Sequence, residues 1–245
     1  MKIKILLSAV VLLSFSAIVL SQTVKVTPKK TVYKRTVKDV PDYKKTFTII
    51  HPKVSGLSAA LNKKIENTIS YERVFDFKLK EELTEIYWLE NASFKTEYNR
   101  NGILGIALTF DGSGAYPSIY TKHVVVDVKT GTQVKATDVF ASNRILGLAM
   151  MLDKLLQQTM QTAIAEAKKE NSEDGATLTE MLAEKHFTAE ELNHFSVGDK
   201  GVTFYYDYGF PHVALALEPN GEFLIGYAEL KPFIKPGGLL AKFNR

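Results

Sequence analysis

Cysteine is absent from this 245-residue chain. Disulfide bonds, thiolate metal sites, a cysteine nucleophile and attachment as a bacterial lipoprotein are thereby excluded. Histidine occurs five times, at His51, His123, His186, His194 and His212, and tryptophan once, at Trp88. No histidine belongs to a His-Glu-x-x-His pair, the spacing that sets two imidazoles and a base on one helical face. Glu190 and Glu191 precede His194 by four and three residues, and a solvated helix end accounts for them. The chain also lacks a Gly-x-Ser-x-Gly nucleophile turn and a Gly-Lys-Ser/Thr phosphate loop. No metal and no cofactor is therefore expected.

A large charge of one sign is missing too. The formal net charge is +4, and Lys2 and Lys4 stand in the N-terminal segment, so the remainder is close to neutral. Nucleic-acid binding needs a concentrated basic surface and is not expected. The one basic concentration is Thr23 to Lys45, with Lys25, Lys29, Lys30, Lys34, Arg35, Lys38, Lys44 and Lys45 against Asp39 and Asp42. It reads as a solvated arm or edge strand, with attraction to anionic envelope polymers or headgroups as the functional alternative.

What is present is enough apolar sequence, 45% of residues, to bury a sizeable core. Lys2 and Lys4, then an apolar run from Ile5 to Leu20, then Ser21 before Gln22, form the pattern of a secretory signal peptide over residues 1–21. The folded part is expected outside the bacterial cytoplasm, periplasmic or secreted, with membrane contact only if the segment stays uncleaved.

The clearest patterning lies in residues 103–140. Ile106, Leu108 and Phe110 alternate with Ala107 and Thr109, and Val124, Val126 and Val128 with Val125 and Asp127, the period of strands with a buried face. The run 111–117 between them reads as a hairpin loop whose glycines supply positive φ. Upstream, Lys45 to His51 reads as a strand ended by Pro52, Ser55 to Ile65 as a helix, 71–85 as a crossover, and 86–98 as a strand. Downstream, Ile145, Leu148, Leu152, Leu155, Leu156 and Ile164 stripe a long helix over about 143–169. Residues 171–175 read as a polar connector, Thr177 to Glu184 and the capping-box run Thr188 to Glu191 as short helices. Strands follow at 194–197, 202–206, 213–217 and 222–227. Strands and helices in blocks, without strict alternation, imply an α+β fold with antiparallel sheets packed on one long and several short helices.

Three blocks carry a family resemblance: Ser113-Gly114-Ala115-Tyr116-Pro117, Asp127-Val128-Lys129-Thr130-Gly131, and Asp138-Val139-Phe140. With Val202 to Tyr206, Tyr208 to Ala214 and Gly226 to Leu230, they resemble the extracytoplasmic family DUF3298, and residues 46–112 resemble its frequent companion DUF4163. Ser113 stands where glycine is usual, Tyr116 where histidine is usual, and Gly226 where proline is usual. The resemblance divides the chain into a signal peptide 1–21, a basic arm 22–45, a DUF4163-like part 46–112 and a DUF3298-like part 113–245, the last two packed as one unit. That family includes ectodomains of lysozyme-sensing anti-sigma factors and an accessory module of peptidoglycan deacetylases. It implies a non-catalytic envelope protein that binds a lysozyme-like muramidase or peptidoglycan.

Two aromatic groups are the candidate ligand-binding residues: Ser113, Gly114, Ala115, Tyr116, Pro117 and Tyr120, and Tyr206, Tyr208 and Phe210. Such rings give large, rigid contact area at low entropy cost. No catalytic residue is assigned. Two alternatives stand beside binding. One is a wall hydrolase using dispersed carboxylates such as Asp111, Asp127 or Asp207. The other is an assembly protein using an exposed strand edge.

Overall fold

The structure is a computed structural model that describes residues 23–36, 40–86 and 88–243. The expected signal peptide, Lys38, Asp39 and Tyr87 lie outside the described residues.

The N-terminal half builds a six-stranded sheet. β1 (Lys25–Lys34) and β2 (Thr46–Ser55) pair antiparallel along their whole length, from Lys25 opposite Ser55 to Lys34 opposite Thr46. Pro52 does not end β2 but faces Pro28 across this ladder. Neither proline has an N–H to give. Pro52 is tolerated because β2 meets its other neighbour only through Thr48 and Ile49, short of the proline. Three short helices follow: α1 (Ala59–Thr68), capped by Ser58; α2 (Tyr71–Val74), capped by Ser70; and α3 (Leu79–Thr84). They carry the chain to β3 (Leu89–Arg100), which runs parallel to β2 and antiparallel to β4 (Ile103–Ser113). β5 (Pro117–Asp127) and the two-residue β6 (Thr132–Gln133) complete the order β1-β2-β3-β4-β5-β6.

The even-numbered side chains of β4 and β5, Ile106, Leu108, Phe110, Val124 and Val126, pack with Phe47, Ile49, Ile65, Ile69 and Tyr71 under α1 and α2. The opposite face is also covered. Tyr98, Ile103 and Val125 join a second core built on α5 (Ile145–Glu170), which follows the single-turn helix α4 (Ala136–Val139). β4 is therefore buried on both faces from Ile103 to Leu108, not on one as alternation alone suggests.

The predicted α5 stripe is present, with Leu148, Leu152, Leu156 and Met160 buried. α6 (Ser172–Leu182) begins earlier than expected and absorbs the polar connector, because the Asn171 side chain accepts from Glu173 N (3.0 Å) and caps it. Gly175 sits where any Cβ would strike Lys168 of α5, at 2.2 Å. The run Thr188 to Glu191 gives only a 3-10 turn at Glu191–Asn193, with Glu191 accepting from Thr188 N (2.7 Å).

A second, three-stranded antiparallel sheet closes the fold: β7 (Phe195–Val197), β8 (Gly201–Tyr205) and β9 (Glu222–Gly226), then α7 (Tyr227–Leu230). Its inner face, Phe195, Val197, Val202, Phe204, Phe223 and Ile225, meets the α5 stripe. The expected strand at 213–217 is a 3-10 helix, His212–Leu217. Both sides of β8 are already taken, by β7 and β9, and Pro211 O accepts from Ala214 N (2.9 Å) to start the helical turn. The C-terminal segment then folds back: Ile234 bridges Phe140, Lys235 N donates to Val139 O (2.8 Å), and Phe243 stacks on Tyr227 with centroids 4.3 Å apart. The result is α+β, with both sheets and the helices in one packed body. The 112/113 boundary read from the sequence falls inside β4.

The first polar feature that fixes this arrangement is buried. Arg35, 1% exposed at its side chain, pairs with Glu82 of α3, 4% exposed. Arg35 also donates to the carbonyls of Lys44 and Leu89 and lies over the Phe47 ring at 4.6 Å. Glu82 Oε1 accepts from Leu89 N as well (3.0 Å). Arg35→Ala strands the carboxylate and the carbonyls of Lys44, Glu82 and Leu89 and should cost about 3–5 kcal/mol in urea denaturation, whereas Arg35→Met with Glu82→Leu should recover the share due to the unpaired carboxylate and leave that of the carbonyls.

Candidate functional site

Six of the candidate residues, Ser113 to Pro117 and Tyr120, lie at or next to the tip of the β4–β5 hairpin. The loop is shorter than the sequence suggests: the ladder continues to Ser113 opposite Pro117, leaving Gly114, Ala115 and Tyr116 as the turn. Neither Gly112 nor Gly114 has positive φ. Gly112 is required for another reason, since a Cβ there would lie 2.4 Å from the Trp88 carbonyl oxygen. Ser113 is fully engaged. Its N–H donates to Trp88 O (3.0 Å), its hydroxyl to Glu90, and its carbonyl accepts from Lys44 Nζ. These bonds anchor the turn.

The anchored turn presents Tyr116, which stacks on His212 with ring centroids 4.4 Å apart and planes 17° from parallel. This contact joins the hairpin tip to the segment that follows Tyr206, Tyr208 and Phe210. Pro117 starts β5 in an exposed position. Tyr120, on the sheet face that holds Phe110, leans on Trp88 at 5.6 Å. Tyr208 and Phe210 are turned inward, 1% and 9% exposed, and Tyr206 packs edge-on against Tyr208 and beside Phe187. These three side chains support the 205–212 segment from below; the exposed contributor from that segment is His212, which the sequence reading did not assign.

The opposite face of β5 carries a second stack that the sequence reading also missed. His123 lies flat on Tyr205 of β8, centroids 3.8 Å apart and planes 5° from parallel. His123 Nδ1 meets Glu97 Oε2 at 2.9 Å, and the Tyr205 hydroxyl meets Ser196 Oγ at 2.9 Å. The only sequence signal was the odd-numbered, inward position of His123 in a strand. Glu97 is the residue skipped in the β3–β4 register, between Thr96 and Tyr98, and that bulge aims its carboxylate at the histidine. Together these groups weld the large sheet to the small one. Ser196 is buried and bonded to a phenol, with no base on it, so the cluster is not a hydrolytic triad.

Between the two stacks β5 presents Ile119 and Thr121, both exposed. Thr121 shares a hydroxyl contact with Thr109 (3.0 Å), and Asp111 faces Ile119 across the ladder. Ile119 is 70% exposed, Val213 84% and Tyr116 55%. The tip is thus an apolar and aromatic ridge on a rigid base.

The other blocks of the resemblance prove to be turn chemistry. Asp127 accepts from Lys129 N (2.9 Å) and Thr130 Oγ1 (3.0 Å), and Gly131 follows with φ 69°. Asp138 Oδ2 accepts from Lys135 N (2.8 Å) at the start of α4. Both carboxylates line an open cleft of about 510 Å³ with Gln133, Gly237 and Lys242. Among the described residues no group of three or more His, Cys, Asp or Glu is placed to hold a metal ion.

The fold so defined is a six-stranded sheet and a three-stranded sheet sharing one long helix. Solved structures similar to it include a member of the DUF3298 family from Bacteroides fragilis, with TM-score 0.55 over 90% of this chain and 97% of that one at 14% identity, and a DUF3298 family protein from Pseudomonas aeruginosa, with TM-score 0.51 over 87% and 94% at 11% identity. The structural neighbours are DUF3298 proteins, and at these identities the likeness is one of fold. No family model and no curated protein matches the chain.

Two outcomes test this geometry. Gly112→Ala should push Trp88 off its seat, costing about 1–3 kcal/mol by overpacking and shifting the emission of the single tryptophan. Burial pushes the Tyr205 and Tyr208 phenols up to about 12, and also raises Tyr71 and Tyr227. Phenols in the unfolded chain ionise near 10, so the tyrosine contribution to stability is complete below that pH and is lost as pH rises toward about 12. Denaturation midpoints measured across this window should fall together with the ultraviolet signal of tyrosinate.

Proposed function

We propose that this protein is a non-catalytic envelope protein, working outside the cytoplasm, whose hairpin tip binds a protein partner of the lysozyme-like muramidase class. The observation that carries this reading is the exposed ridge of Tyr116, Ile119 and Val213, held rigid by the ties on Ser113 and the stack on His212. Aromatic and aliphatic side chains on a preorganised base are what protein hot spots are made of. The DUF3298 fold of the structural neighbours and the resemblance to lysozyme-sensing ectodomains supply the partner class.

Charge is consistent with such a partner once its position is considered. Common lysozymes are basic, and steering favours an acidic face. The lysines of β1 occupy an edge strand of the sheet, whereas Asp111 and Glu90 stand at the hairpin tip, where the Lys44 ammonium is tied to the Ser113 carbonyl. Peptidoglycan is the second reading, favoured by the Thr109–Thr121 hydroxyl pair on the face of the hairpin that carries Ile119, since sugars need hydrogen bonds as well as apolar contact.

Calorimetric titration of the purified protein with a c-type lysozyme should give micromolar or tighter binding, and Tyr116→Ala should weaken it by about 2 kcal/mol or more. His212→Ala, which removes the support of the ring, should weaken it less. Heat that is absent, or unchanged by both substitutions, removes the muramidase reading and passes the question to pull-down on purified peptidoglycan.

A further inference from the structure

Among the described residues, a run of uncompensated charge lies on β1, the edge strand of the large sheet. β1 carries Lys25, Lys29, Lys30 and Lys34 and no acidic residue. All four are exposed. Among the described residues none of the four pairs with a carboxylate, whereas Lys45, Lys53, Lys78 and Arg100 each do. β1 is also the outermost strand, bonded to β2 alone, and its ten residues extend about 33 Å.

The register arranges these charges in a line. Lys25 and Lys29 share one face of the sheet, and Thr27 between them faces Lys53 of β2. Three ammonium groups thus recur at steps of about 7 Å along one face, with Lys53 partly neutralised by Glu66 (2.9 Å). Lys30 and Lys34 continue the row on the other face. His51 stands opposite Lys29. Burial holds it below the usual histidine range, against Glu72, with Lys53 and Lys29 adding to the depression.

An added β-strand is a poor occupant for this edge. Pro28 interrupts its donors, and lysines on both faces are the standard protection against strand pairing. A second copy would bring the two lysine rows together. A planar array of headgroups would engage a broad surface, whereas this row is one strand wide. We propose that β1 is a docking strip for a linear polyanion, a polymer with phosphate or comparable anionic groups repeated along its backbone, held by Lys25, Lys29, Lys30 and Lys34. Each contact releases condensed counterions from the polymer, and the binding strength follows the number of lysines engaged. This surface is independent of the hairpin tip and of whatever binds there.

The test is fluorescence anisotropy of end-labelled inorganic polyphosphate titrated with the purified protein over a range of salt. Binding should weaken with salt at a log–log slope of about −3, from about −0.7 for each of the lysines. Changing all four to glutamine should reduce affinity about tenfold or more and flatten the slope, and changing all four to arginine should preserve both. A control with Lys154, Lys168, Lys169 and Lys185 changed to glutamine has the same net charge as the first variant and should bind as the unaltered protein does. Equal loss in the control, no loss in the β1 variant, or binding to phosphatidylglycerol vesicles without binding to polyphosphate would each overturn the proposal.

Discussion

The large sheet is held across its weakest seam by one guanidinium. β2 and β3 are joined only through Thr48, Ile49, Asn91 and Ala92, too short a ladder to fix the β1–β2 pair against the β3–β4–β5 block. Arg35 spans that seam, bonding the carbonyl of Lys44 before β2, the carbonyl of Leu89 at the start of β3, and Glu82 on α3. Burial raises the Glu82 carboxyl even with Arg35 against it, which marks how much desolvation this pair absorbs. Its geometry, with both partners hydrogen-bonded several times over, is the condition under which a buried ion pair is tolerated.

The same seam governs the candidate site. Trp88 and Glu90 flank Leu89, whose carbonyl Arg35 takes, and they are the groups that hold Gly112 and Ser113. Lys44, beside the carbonyl that Arg35 takes, reaches the Ser113 carbonyl. The presentation of Tyr116 therefore rests on residues that belong to the basic arm and to the crossover, far from it in sequence. On the other side, the His123–Tyr205 stack sets the position of the small sheet and so of the 205–212 segment carrying His212.

What the sequence made legible was periodic and local. The strands β4 and β5 and the helix α5 follow from alternation and from a helical stripe, because one face of each is buried over many residues. The 213–217 segment misled for the same reason: His212 to Leu217 alternates small and large apolar residues, yet β8 has no free side to accept it. Gly112 read as a turn glycine, since the approach of the Trp88 carbonyl is a tertiary fact that no local pattern announces. Tyr208 and Phe210 read as recognition residues from their composition, and only packing shows that they are buried. Glu97, His123 and Tyr205 come from three strands in two sheets, and Arg35 looked like one more charge in a basic run. The family blocks around Asp127 and Asp138 were visible as motifs, and the structure gives their physical content as a turn and a helix cap.

The last ten described residues fasten to places laid down much earlier in the chain. Ile234 and Lys235 bond to Phe140 and Val139 at the end of α4, Lys242 reaches the Asn101 carbonyl at the β3–β4 turn, and Phe243 rests on Tyr98 and Tyr227. During synthesis Tyr98, Asn101 and Phe140 emerge long before the segment that covers them. The second core thus stays open at one end until residues 234–243 are in place, and a product interrupted before them leaves Tyr98, Phe140 and Tyr227 as exposed apolar surface for proteases and chaperones to read.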